Sequence, residues 1–160
     1  MNGPRRRSRV VALQILHQMD VSPELDADGA LGLYFGQLAG GGSTLTIDED
    51  EPVPADQVSD AASFDRSLVE QMIRGVFSHR GELDQMLAAS SKNWRIERMA
   101  LVDRNVIRLA LFEIKFCSEV PVAVAIDEAI ELCKQFGSAE APAFVNGLLD
   151  RAVDELGLRR

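Results

Sequence analysis

Apolar positions recur at helical spacing through most of this chain. Val11, Ala12, Ile15, Leu16 and Met19 predict a first helix from Pro4 to about Met19, with proline in the first turn, where its missing N–H costs nothing. Pro23 breaks the chain, and Leu31, Leu33, Tyr34, Phe35 and Leu38 are the core candidates of a second helix over 24–38. A third runs over 64–89 on Leu68, Met72, Val76, Leu83 and Leu87, with Gly75 and Gly81 as points of close packing or bending. Ile96, Met99 and Leu101 mark a short helix after Trp94. Val102 to Cys117 is apolar around nearly its whole circumference, the pattern of a central helix. Arg104, Arg108 and Lys115 fall within ~40° of one another and leave it one narrow basic stripe. Ile126, Ala129, Ile130, Cys133 and Phe136 define a helix over 124–136, with Gly137 as its stop. Pro142 opens the last, on Val145, Leu148, Leu149, Ala152, Val153 and Leu156. No alternating strand pattern and no internal repeat occur. The expected fold is all-α, with about seven helices.

Residues 39–62 interrupt this pattern. Gly40-Gly41-Gly42-Ser43 is followed by Asp48-Glu49-Asp50-Glu51 and by Pro52 and Pro54, with no basic residue. The segment reads as an acidic, Gly-rich, flexible loop. Its glycines lack the following Lys of a phosphate loop, and its acids lack the spacing of a calcium loop.

Charge changes the picture at the other end. The chain carries a net charge of -8, yet residues 1–10 hold four arginines and no acid, which leaves 13 basic and 25 acidic side chains in the rest. A cationic end on an acidic body suggests a site for a polyanion. Cations at a helix N-terminus oppose its dipole by about 0.3–1 kcal/mol each, so a compensating partner fits. A solvated basic tail is the other reading. The loop is opposite in charge, which motivates the hypothesis that it competes with a polyanion for these arginines. Unaltered polyanion affinity at low salt after deletion of residues 40–60 would count against that.

The length of 160 residues suits one domain or two small subdomains sharing a core. No apolar run approaches the ~18 residues of a membrane span. Gln14, His17, Gln18 and Asp20 interrupt any secretory signal pattern. Cys117 and Cys133 match no zinc or redox spacing and read as buried thiols, so a cytoplasmic protein is expected. The only histidines, His17 and His79, are far apart, and no nucleophile–base pair or metal set is visible. The expectation is a binding protein, not an enzyme, with no cofactor and no metal.

Four blocks together carry a resemblance. Arg5-Arg6-Arg7-Ser8-Arg9 with Ala12-Leu13-Gln14-Ile15-Leu16, the run Val102 to Ile114, the run from Val120-Pro121 to Gly137, and Phe144-Val145-Asn146-Gly147-Leu148-Leu149-Asp150 occur in order, over residues 5–19 and roughly 94–152. They resemble the NusB family of bacterial transcription antitermination factors. The loop at 39–62 looks longer than that family usually carries.

The resemblance implies two packed subdomains, each close to a three-helix bundle. It also implies a protein that binds the boxA segment of nascent ribosomal RNA together with the small-subunit ribosomal protein NusE, helping RNA polymerase pass terminators. The implied RNA contacts are Arg5, Arg6, Arg7, Arg9, Gln14, Glu140 and Phe144; arginine forks grip phosphates and stack on unpaired bases. Phe144 is either a stacking face or a core residue under the last helix. Glu140 either borders the RNA or is a plain loop carboxylate. Gln14 either reads a base edge or faces solvent. The implied partner contacts are His17, Glu97 and Asp103; His17 stands where the family has an aromatic residue. Trp94 and Asn146 look structural, Asn146 holding a turn or helix start before Gly147. Two further readings accompany this one. A similar domain precedes the catalytic part of some ribosomal RNA cytosine methyltransferases, and some family members form homodimers that cover the RNA surface.

Overall fold

A computed structural model of the chain describes residues 3–39, 46–48, 51–52, 64–91 and 96–158. Among them are seven α-helices: α1 (Pro4–Val21), α2 (Ala27–Ala39), α3 (Arg66–Ser78), α4 (Arg80–Ser90), α5 (Leu101–Phe116), α6 (Val122–Phe136) and α7 (Ala141–Glu155). A 3-10 turn, Ile96–Arg98, precedes α5. The fold is all-α, as expected. Two short strands, β1 (Thr46–Asp48) and β2 (Glu51–Pro52), pair antiparallel inside the segment read as loop. Strands this short leave no alternation to detect. The other residues of 40–63, and Trp94, lie outside the described residues.

The chain divides into two compact units, Met1–Phe77 and Ser78–Arg160. In the first, α1 buries Val10 to Leu16 and Met19, nearly its whole circumference. Ala27, Ala30, Leu31 and Tyr34 form the buried face of α2, a clean i, i+3, i+4, i+7 set. Leu33, expected in the core, falls off that face and is exposed. Val69, Met72, Ile73 and Val76 complete this core from α3. Ser8 joins its helices: its hydroxyl donates to the Pro4 carbonyl (2.7 Å) and accepts the Asp65 N–H (2.8 Å). Asp65 in turn caps α3, Oδ1 accepting the Leu68 N–H at 3.2 Å. Phe35 stacks on Phe64 with centroids 6.3 Å apart, and the Arg66 guanidinium lies 4.1 Å from the Phe35 centroid.

The helix expected over 64–89 is two helices, broken at His79, whose ψ of 15° leaves the helical range. The apolar step from Val76 to Leu83 spans two turns, so the stripe runs on without marking the break.

In the second unit, Asn105 to Ile114 of α5 are all buried, and α4, α6 and α7 pack around the helix. The basic stripe expected here does not survive. Arg108 is buried, Nε donating to Asp84 Oδ1 at 2.7 Å, Nη2 to Asp84 Oδ2 at 3.1 Å and Nη1 to Asn105 Oδ1 at 3.1 Å. The bidentate pairing with α4 lets the charge enter the core. Lys115 at the far end pairs with Glu82, and that hydrogen bond holds the Glu82 carboxyl below its usual range. Cys117 and Cys133 are buried free thiols. Burial first, then the Asp103 charge, pushes the Cys133 thiol up to about 12. Leu156, expected in the stripe of α7, is exposed because the helix ends at Glu155. Asn146 and Gly147 are exposed positions inside α7, so no turn or helix start lies there.

Candidate nucleic-acid interface

Two places gather the residues singled out by sequence, one in each unit. The first is the start of α1. Pro4 fixes the opening turn, Gly3 precedes it without a side-chain cap, and no acid occupies the first turn. Arg5 is exposed, Arg6 and Arg7 are half-buried, and Arg9 is buried. The cluster is therefore two turns of ordered helix and not an extended tail. Gln14, expected to face a base edge or solvent, is buried, and its Oε1 accepts a long hydrogen bond from the Tyr34 hydroxyl at 3.5 Å. Both Arg9 and Gln14 are enclosed because α1 is buried on nearly every side between Ser8 and Leu16. Burial pushes the Tyr34 hydroxyl up to about 12. Further along, His17 is half-buried, and its Nδ1 is buried with no hydrogen-bond partner.

The second place is a cavity of about 380 Å³ in the Ser78–Arg160 unit. Arg98, Met99 and Asp103 supply one wall, from the chain entering α5. Ser138, Glu140 and Phe144 supply the other, from the α6–α7 turn and the first turn of α7. Asp103 and Phe144 are half-buried, and Glu140 is exposed. Three residues from two separate sequence blocks thus meet around one space. Glu97 is exposed on the 3-10 turn beside Arg98 but does not line the cavity.

Gly137 sets the shape behind this cavity. It ends α6, its N–H donating to the Cys133 carbonyl at 2.8 Å. Its φ is -95°, so no left-handed conformation demands a glycine. Space does: a Cβ there would sit 2.9 Å from the Cys133 carbonyl oxygen, 3.0 Å from Ala141 Cβ and 3.2 Å from Asp103 Oδ1. The missing side chain lets the α6–α7 turn close against the start of α5.

Arg98 and Ser138 were not singled out by sequence. Arg98 sits between an expected partner residue, Glu97, and the apolar Met99, and nothing in its spacing distinguishes it from a solvated charge. Its place across from Phe144 exists only in three dimensions.

The model of the NusB family matches residues 6–154. The chain belongs to the NusB family. It is 39% identical to the transcription antitermination protein NusB of Geobacter sulfurreducens over 154 residues, covering 96% of each chain. It is 42% identical to that of Anaeromyxobacter dehalogenans over 156 residues, covering 98% of this chain and 94% of the relative. Among solved structures, T. maritima NusB superposes with a TM-score of 0.72 at 30% identity, over 97% of this chain and 94% of that one. A crystal structure described as a plectonemic RNA supercoil holds a chain of the same fold, at a TM-score of 0.71 and 18% identity. Matches along nearly the full length of NusB relatives favour the antitermination reading over a methyltransferase domain. Both of these relatives are named as transcription antitermination proteins. No helix among the described residues is long and apolar enough to cross a membrane.

Proposed function

We propose that this NusB-family chain is a cytoplasmic factor that binds boxA RNA of nascent ribosomal transcripts with the ribosomal protein NusE, and helps RNA polymerase read through terminators. The observation that carries the proposal is the family match over residues 6–154, which includes both the arginine-rich start of α1 and the cavity at Phe144. Arg5, Arg6 and Arg7 supply phosphate contacts from the surface of α1. Arg9 and Gln14, carried by the same helix, are buried within the first unit. Phe144 and Glu140 face the RNA from the second unit. Glu97, Asp103 and His17 meet the protein partner, whose basic character the two carboxylates complement. No step of this function needs a cofactor or a metal.

The test is a fluorescence titration of boxA RNA with and without NusE. NusE is expected to tighten RNA binding. Arg6→Glu combined with Arg7→Glu is expected to abolish retention of boxA RNA in a gel shift at moderate salt, because it reverses two phosphate contacts. Unchanged retention by the double variant would reject the α1 arginines as the site.

A further inference from the structure

The cavity at the start of α5 has a chemistry that selects its occupant. Among the described residues, Arg98 is its one cation, Asp103 and Glu140 are its carboxylates, Phe144 gives an aromatic wall and Met99 an apolar one. A phosphate is disfavoured by two carboxylates against one guanidinium. A cationic side chain could pair with the carboxylates but would leave the Arg98 fork without an acceptor. What suits such a space is a neutral, planar group with hydrogen-bond acceptors on one edge and donors on another. The volume of about 380 Å³ is sufficient for such a group, lying within the ~300–1,000 Å³ of small-ligand sites.

Among the RNA bases, guanine has this arrangement. Its O6 and N7 accept on one edge, where an arginine fork binds bidentately. Its N1–H and N2–H₂ donate on the adjoining edge, where a carboxylate accepts. Adenine places a donor beside N7 and an acceptor at N1, so it meets both Arg98 and Glu140 with the wrong groups. Uracil has no two adjacent acceptors, and cytosine, whose N3 and O2 do adjoin, offers a carboxylate only its single N4 amino group.

Resting on the RNA-binding reading above, we infer that this cavity is a guanine-selective base pocket, with Arg98 reading O6 and N7, Glu140 accepting from N1–H and N2–H₂, and Phe144 lying against the ring. Arg98 is then a specificity-determining residue of the RNA site. An unpaired base enters it from a single strand, where its edges are open and its face can stack.

The experiment is fluorescence anisotropy of the full chain with a short labelled oligouridylate carrying one central guanosine, compared with the same strand carrying adenosine or inosine. The guanosine strand is expected to bind about tenfold tighter than the adenosine strand, with inosine, which lacks the N2 amino group, in between. Arg98→Ala and Glu140→Ala change exposed side chains. Each is expected to remove most of the preference for guanosine over adenosine while leaving the far-UV circular dichroism spectrum unchanged. Equal affinity for the guanosine and adenosine strands in the wild-type protein would overturn the pocket while leaving RNA binding in place. Full preference retained in both variants would do the same. Failure of every strand to bind, together with failure of boxA RNA, would overturn the underlying reading as well. Displacement of the strand by an arginine-rich peptide that Arg98→Ala binds more tightly than wild type would reassign the pocket to a protein side chain.

Discussion

Arg108 holds Asp84 through two parallel hydrogen bonds, Nε to Oδ1 at 2.7 Å and Nη2 to Oδ2 at 3.1 Å. The Arg108 side chain is 4% exposed, so the pair carries charge into the core of the second unit. Asp84→Ala strands a buried guanidinium and is expected to cost about 2–4 kcal/mol in urea unfolding. Asp84→Leu combined with Arg108→Met removes both charges and should recover most of that loss. A loss below about 0.5 kcal/mol for Asp84→Ala would mean that water, not Asp84, satisfies the arginine.

Gly137 lies where a methyl group has no room. Gly137→Ala is expected to destabilise the protein by about 1–3 kcal/mol, the range for overpacking, and to displace the α6–α7 turn that lines the cavity. Urea unfolding reads the first effect, and loss of RNA affinity beyond that of a neutral surface variant reads the second. Wild-type stability in Gly137→Ala would show that the turn shifts without cost.

Arg5 stands exposed in the first turn of α1, facing the positive end of the helix dipole. Arg5→Ala is expected to stabilise the chain by about 0.3–1 kcal/mol at low salt. The same change should weaken RNA binding and lower the slope of log affinity against log salt by about one phosphate contact. Thermal unfolding and an RNA titration over a salt series measure the two, and a change of equal sign in both would contradict the assignment.

Alkaline pH should unfold this protein through two buried groups. Cys133 rises from 9.0 to about 12 and Tyr34 from 10.0 to about 12 on folding, both chiefly by burial. A raised folded value means that the native state keeps its proton where the unfolded state has lost it. The stabilising difference is complete below pH 9, and it is lost as pH climbs from 9 towards 12. Each group removes up to about 1.4 kcal/mol per pH unit within its own window. Melting temperatures should be level between pH 7 and about 8.5 as far as these groups are concerned, then fall. Cys133→Ser with Tyr34→Phe should flatten that fall, and an unchanged alkaline slope would exclude both groups as its cause.

The helices were legible because each buries a continuous stripe. The α2 set at 27, 30, 31 and 34 and the enclosed run of α5 follow from spacing alone. The break at His79 was hidden because the apolar step across it keeps the helical phase. Arg108 was misread as surface because periodicity cannot see a carboxylate on the neighbouring helix. Arg9 and Gln14 were misplaced for a related reason: polar residues on a helix buried on all sides look, in sequence, like its wet face. Asp103, Glu140 and Phe144 came from the resemblance, not from any pattern, and their meeting with Arg98 is a property of the α5 and α7 starts together. The glycine at 137 was expected as a helix stop, and it is one, though the reason is crowding instead of backbone handedness.

The Phe35–Phe64 stack, with the Arg66 guanidinium over Phe35, ties the last turns of α2 to the residue that precedes α3 by two, so the stretch between is anchored at both ends. Doubling the length of a stretch anchored in this way costs only about 0.6 kcal/mol of closure entropy. Its length is therefore nearly uncoupled from the stability of the helices. A reporter peptide spliced between Ala39 and Phe64 should leave the helical framework intact, which makes that stretch a practical handle for attaching a label.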